Sequence, residues 1–302
     1  MSLLVTGSIA LDTIRMPDGN IYKDVLGGSC TFFSYAASFF SKVQVVSVVG
    51  KDFRDEDVKM LESRGIDLQG LKKVDGATFR WFGTYMENMN DRRTDDLQFG
   101  VLGQFDPVLP DSYKDAEYVF LACAQPELQL KVLSQLRKKA FTVVDTIEVY
   151  IKNSRDVLDE IFKQVTGVII NESEATLLTG SSNLVANAVK LLDYGPSFVV
   201  VKKGEHGGIL ATRDGVFPFP GFPLLKIIDP TGAGDSFAGG FMGCVTKSRR
   251  TDLAGLRRAT VFGSVMGSYA CEGVGLDSFR KLTAKDVMER SKKFIELLRI
   301  PD

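Results

Sequence analysis

The sequence predicts an α/β protein, a three-layer sandwich with a central mostly parallel β-sheet and a small β lid. Short runs rich in β-branched residues recur along the chain as nearly continuous apolar stretches, the pattern of strands covered on both faces. Segments of helical character alternate with them, which implies helices on the faces of a parallel sheet. Two stretches break the alternation with turn chemistry and β-prone flanks, and these are the expected lid.

The expected strands lie at residues 3–6, 43–49, 118–122, 142–145, 168–170 and 198–202. Helices are expected over 30–40, 126–139 and 184–194, the second opening on Pro126, which a first helical turn tolerates. Residues 12–26 hold the polar turn Pro17-Asp18-Gly19-Asn20, and residues 77–98 run through an aromatic stretch into a charged turn. Both read as strands added at one end of the sheet. Helices return around 252–271 and 284–298. With 302 residues and no internal repeat or low-complexity linker, the chain is read as one domain, 1–302, with lid strands from 12–26 and 77–98.

Charge narrows the partners. There are 37 Lys+Arg against 38 Asp+Glu, a formal net charge of -1, and no basic block that would follow a nucleic-acid backbone or an anionic membrane. A small molecule is the expected partner. No leader is expected ahead of the apolar run at 3–6, and no apolar run approaches spanning length. Cys30, Cys123, Cys244 and Cys271 are scattered, in the manner of buried free thiols in a reducing cytoplasm. The single histidine, His206, stands in a glycine-rich turn far in sequence from any of them, so no zinc site is expected.

Chemistry concentrates at residues 227–241, where a strand-like pair ends at Asp229, a turn of small residues follows, and a helix begins near Asp235. Gly232, Ala233 and Gly234 let backbone N–H groups converge with little side chain in the way, and a helix N-terminus adds positive potential. That is a site for an anion. A carboxylate among such groups serves as a base beside a phosphoryl group in flight, Asp235 taking the proton of an attacking hydroxyl while the three amides hold developing charge. Helix capping is the other common use of such an aspartate, and the local pattern serves both.

Asp-Pro-Thr-Gly-Ala-Gly-Asp at 229–235, continuing Ser-Phe-Ala-Gly-Gly-Phe to 241, resembles the C-terminal signature of the PfkB, or ribokinase-like, carbohydrate kinase family. Pro230 departs from the family's usual threonine, and Thr231 occupies a variable position. The resemblance implies a ribokinase-like fold and an ATP-dependent kinase with Asp235 as general base. Gly7-Ser8 with Asp12, then Gly27-Gly28, is similar to the family's substrate-binding pattern. It implies Asp12 as acceptor for substrate hydroxyls, with Gly27 and Gly28 letting the substrate approach and Ser29 where sugar kinases often carry asparagine. Asn171-Glu172-Ser173-Glu174 resembles the Asn-x-x-Glu element, implying Asn171 near the phosphates and Glu174 organising Mg2+ through water. Lys203, Gly204 and Gly207 resemble the nucleotide-binding turn, with Lys203 offered to ATP phosphates or ribose, and residues 259–275 the region flanking adenine. A potassium ion near the Asp229 loop is also implied.

Other readings of the glycine-rich turns fail. Gly50-Lys51 is followed by Asp52 where a P-loop needs Ser or Thr, and Phe237 stands where a dinucleotide fingerprint needs its last glycine. No Gly-x-Ser-x-Gly elbow exists for a hydrolase. Phe32, Phe33, Phe79 and Trp81 could cover a substrate or base, fill the core, or make a homodimer interface through the lid. Transfer of the ATP γ-phosphate to a hydroxymethyl group of a sugar or ribonucleoside is the leading expectation. A non-catalytic sugar or nucleotide sensor on the same fold is the alternative.

Overall fold

The computed structural model describes residues 2–299. The chain opens with β1 (Ser2–Thr6), makes an excursion through β2 (Ala10–Arg15) and β3 (Ile21–Gly27), and returns as α1 (Ser29–Ala37), β4 (Lys42–Gly50), α2 (Asp55–Ser63) and β5 (Ile66–Val74). A second excursion, β6 (Arg80–Tyr85) and β7 (Arg92–Gln98), leads to β8 (Tyr118–Leu121), α3 (Pro126–Ser134) and β9 (Phe141–Val144). Next come α4 (Glu148–Asn153), α5 (Arg155–Gln164), β10 (Gly167–Asn171), α6 (Glu172–Thr179), α7 (Leu184–Leu191) and β11 (Phe198–Lys202). The hairpin β12 (Gly208–Thr212) and β13 (Gly215–Phe219) precedes α8 (Ala233–Ser248), α9 (Leu253–Ala270), α10 (Asp277–Arg280) and α11 (Ala284–Leu297).

The central sheet has nine strands in the order β13-β12-β11-β10-β9-β8-β1-β4-β5. It is parallel from β11 to β5, and β12 and β13 add an antiparallel edge. Successive side chains in a strand point to opposite faces, and here both faces are dry. Leu3, Val5, Phe120, Ile169 and Val200 pack with α1, α8 and α9, whereas Leu4, Val119, Leu121, Ile170 and Val201 pack with α3, α5, α6 and α7. Fully burying one such side chain contributes roughly 1.5–3 kcal/mol. This is why the strands read as continuous apolar runs.

The excursions do not extend the central sheet as expected. They form a separate four-stranded sheet, β3-β2-β6-β7. The chain is turned out of the sheet where Gly76 (φ +126°) accepts a bond from the Lys51 N–H at 3.1 Å. Buried Thr78 clamps the exit, its Oγ1 accepting from the Gly50 N–H at 3.0 Å and donating to Asp52 Oδ1 at 2.7 Å. Ile14, Met16 and Tyr85 make the small lid core. Phe32 and Phe33 belong to the main core, Phe33 stacked on Phe120 with centroids 4.3 Å apart, so neither is available to a base. Phe79 packs against Phe99, and Trp81 donates its Nε1–H to Thr94 Oγ1 at 3.1 Å.

Candidate active site

Parallel strands bring their carboxyl ends to one edge of the sheet, where open α/β proteins form their crevice. Gly7 after β1, Cys123 after β8, Asp145 after β9, Asn171 ending β10 and Lys202 ending β11 all arrive there. The lid covers this edge and touches it. The Tyr85 hydroxyl lies 3.0 Å from Thr231 Oγ1, and Asn90 Nδ2 donates to Glu205 Oε1 at 3.3 Å.

Asp12 projects from β2 at 3% exposure, and its Oδ1 has no hydrogen-bond partner. Burial, then the charges of Asp229 and Asp235, pushes its carboxyl up to about 8 against the pull of the Gly28 and Trp81 backbones. A buried carboxylate oxygen without a donor is costly unless a ligand supplies one. The glycines beside it act differently from expectation. A side chain at Gly27 would occupy the space of the Asp12 carboxylate, and one at Gly28 (φ +91°) would meet the Ser8 carbonyl at 2.5 Å. They make room for Asp12 and the β2 backbone. Ser29 is turned inward, its N–H donating to Ser8 Oγ at 3.2 Å and its Oγ to the Cys123 carbonyl at 3.3 Å.

Fully buried Asp229 ties the glycine turn to the loop after α9, accepting from the N–H of Thr231 at 2.9 Å and of Gly275 at 3.3 Å. Both oxygens are therefore already engaged by the protein. Gly232 caps α8 with φ +74°, its Cα against the Phe32 ring. Of the three amides expected to hold an anion, that of Ala233 is spent on the Pro230 carbonyl at 3.1 Å, because the chain tightens into a turn before the helix starts. Among the described residues the N–H groups of Gly232 and Gly234 have no acceptor. Asp235, in the first turn of α8, has its carboxyl pushed up to about 7 by burial and by Asp145, with Lys202 and Arg92 opposing.

Asn171 and Glu174 form a reciprocal cap on α6. Glu174 accepts from the Asn171 N–H at 2.8 Å and from Nδ2 at 2.7 Å, and gives its own N–H to Asn171 Oδ1 at 2.9 Å. Burial first, then Asp145, raises Glu174 to about 8. Gly204 (φ +53°) and Gly207 (φ +85°) shape the β11–β12 turn, which the Lys203 N–H closes on the Gly207 carbonyl at 2.7 Å. Exposed Lys203 lines a neighbouring groove of about 990 Å3 with Thr176, Asn183, His206, Phe219 and Pro220, and none of the catalytic candidates lines it.

The lysine at the anion turn is Lys202, whose Nζ lies 3.0 Å from where a Gly234 Cβ would stand and 3.6 Å from Asp145 Oδ2. Sequence reasoning passed over Lys202, Asp145, Tyr85 and Arg92. A readable signal existed for the first two, since each is a charge closing an apolar strand at the end where ligands bind.

Residues 2–281 match the pfkB family of carbohydrate kinases. The chain is 34% identical to the cytidine kinase of Thermococcus kodakarensis over 270 residues, 86% of this chain and 95% of that one. The nucleoside kinase of Methanocaldococcus jannaschii, a member of the ribokinase family, shares the fold with a TM-score of 0.78 at 22% identity, covering 97% of this chain and 98% of that one. So does the nucleoside kinase of Burkholderia thailandensis in complex with ADP-inosine, at 0.81 and 18% identity, covering 98% and 96%. With its glycine turn, aspartates and lid on a ribokinase fold, the chain belongs to the pfkB family of carbohydrate kinases and is a phosphotransferase.

Proposed function

We propose that the chain is an ATP-dependent nucleoside kinase that phosphorylates the hydroxymethyl group of a ribonucleoside, cytidine first among candidates, with Asp235 as general base. The observation that carries the mechanism is the carboxylate of Asp235 beside the unpaired amides of Gly232 and Gly234, adjusted to about 7. A base near the working pH is the one best suited to take a hydroxyl proton. Asp12, with its free Oδ1, suits the donor hydroxyls of a ribose. The choice of nucleoside over free sugar follows the likeness to a cytidine kinase across nearly the whole of both chains.

The residues suit a polyphosphate nucleotide, because donors converge at the mouth of α8 with a buried ammonium beside them. Among the described residues no group of three His, Cys, Asp or Glu comes together to hold a metal. Mg2+ carried on the nucleotide phosphates supplies charge neutralisation when bound. Glu174, with one donor on each oxygen, retains lone pairs for a water of the metal shell. A potassium ion beside the Asp229 loop is part of the same proposal. In the reaction the acceptor oxygen forms its bond to the γ-phosphorus as its proton passes to Asp235. The bond from that phosphorus to the β,γ-bridging oxygen breaks, and ADP leaves with the electron pair. Four unpaired thiols suit a reducing compartment such as the cytoplasm.

The test is a panel of nucleosides and sugars with MgATP, in potassium or lithium, reading ADP release. Cytidine is expected to lead, and Asp235→Asn to lower kcat by about 10³-fold while ATP still binds. Inactivity towards every acceptor, or an Asp235→Asn variant as fast as wild type, defeats the proposal.

A further inference from the structure

Lys202 is an unusual place for a charge. It ends a buried strand, its side chain is only 15% exposed, and among the described residues its sole ion-pair partner is Asp145 at 3.6 Å. That carboxylate is its hydrogen-bond partner as well, through one long contact that leaves ammonium N–H donors to spare. Gly234, whose N–H has no acceptor among the described residues, stands beside it at the start of α8. Buried donors in excess of the acceptors that reach them leave a penalty that an anion removes. Gly234 is part of the arrangement, since a Cβ there would press on the ammonium at 3.0 Å and on Cε at 3.7 Å.

We infer that Lys202 is a catalytic residue of the phosphoryl transfer, its ammonium contacting the γ-phosphoryl group at the mouth of α8, and that Asp145 is the positioning residue that holds it there. This rests on the kinase reading above. The exposed Lys203, which the resemblance offers to the ATP phosphates or ribose, lines the neighbouring groove. Burial alone would pull the Lys202 ammonium down, but the carboxylates of Asp145, Glu174 and Asp235 outweigh it and keep the group charged. The groups facing Asp235 are Asp145 from the end of β9, Lys202 from β11, Arg92 from the lid, Asp12 from β2, and the thiols of Cys30 and Cys123. Lys202 favours the ionised base and Asp145 disfavours it.

The experiment titrates wild type, Lys202→Met, Asp145→Asn and the double variant with AMP, MgADP and the Mg2+ complex of a non-hydrolysable ATP analogue, by calorimetry. Each is also assayed for kcat/KM against pH. Lys202→Met is expected to weaken the ATP analogue roughly 10²-fold and ADP less, to leave AMP unchanged, and to lower kcat by a similar factor. The acid limb, near pH 7 in wild type, is expected to move up in Lys202→Met and down in Asp145→Asn. Equal weakening of all three nucleotides, no weakening, or limbs that do not separate would overturn the assignment. The double variant removes both buried charges together, so the nucleotide series remains readable if either single variant fails to fold. Wild type that discriminates the ATP analogue through Lys202 yet phosphorylates no acceptor would sink the kinase reading and leave this anion contact standing.

Discussion

Of five acidic side chains, Asp12, Asp145, Glu174 and Asp229 are buried and Asp235 is half-buried, and burial raises every one of them. A raised carboxylate sets a definite pH slope. Asp12 binds its proton more tightly in the folded state, at about 8, than at its ordinary value of 3.8. Its contribution to stability is therefore full below 3.8 and is lost as pH rises through 8. Asp12→Asn is expected to melt a few degrees above wild type at pH 9, the advantage shrinking towards pH 4. The same variant is expected to raise the nucleoside KM about tenfold or more, as an NH2 donor replaces one of the two carboxyl oxygens that face substrate hydroxyls. Melting curves from pH 4 to 9 with parallel kinetics check both, and a pH-independent difference would contradict the burial argument. The same residue marks a limit of sequence reading. Asp12 is named by the pattern around it, but its free oxygen and the use of Gly27 to make space for it are three-dimensional facts.

At the scale of elements, the opening of α8 does most to define the site. Gly232 combines a left-handed backbone with a close approach to Phe32, so Gly232→Ala meets strain of about 1–3 kcal/mol and must also push a buried ring aside. It is expected to lower Tm by several degrees and kcat/KM at least tenfold, measured by calorimetry and steady-state rates. Wild-type values for both would mean that the turn tolerates a side chain. Helix ends show what was harder to read. The stretch 30–40 reads as helical, yet α1 stops at Ala37, where the Ser38 hydroxyl bonds back to the Tyr35 carbonyl at 2.6 Å. Residues 184–194 divide into α7 and a tight turn that ends at Gly195 with φ +132°. The apolar period continues across both stops, so periodicity alone overshoots them.

For the whole molecule, the decisive feature is a lid that is a sheet in its own right, fastened to the crevice by Tyr85 on Thr231 and Asn90 on Glu205. A closed lid keeps water from taking the phosphoryl group. The double variant Tyr85→Phe with Asn90→Ala is expected to raise ATP hydrolysis without acceptor severalfold relative to transfer. An unchanged ratio would show that these contacts do not hold the lid.

The alternation of buried strands with helices, and the turn of small residues that opens α8, were legible in the amino-acid order because each is written in contiguous residues, whereas β5, the β12–β13 hairpin and several helices were not. Burial on both faces makes continuous apolar strands. Apart from Asp12, the distant side chains near that turn are placed by the tertiary structure alone. Asp145 and Lys202 come from separate strands whose carboxyl ends meet only when the central sheet assembles, and Asp12, Arg92 and Tyr85 arrive on the four-stranded sheet. Local pattern does not separate Lys202 from Lys203, and the end of β11 and the turn that follows set the first beside Gly234 and the second in the neighbouring groove.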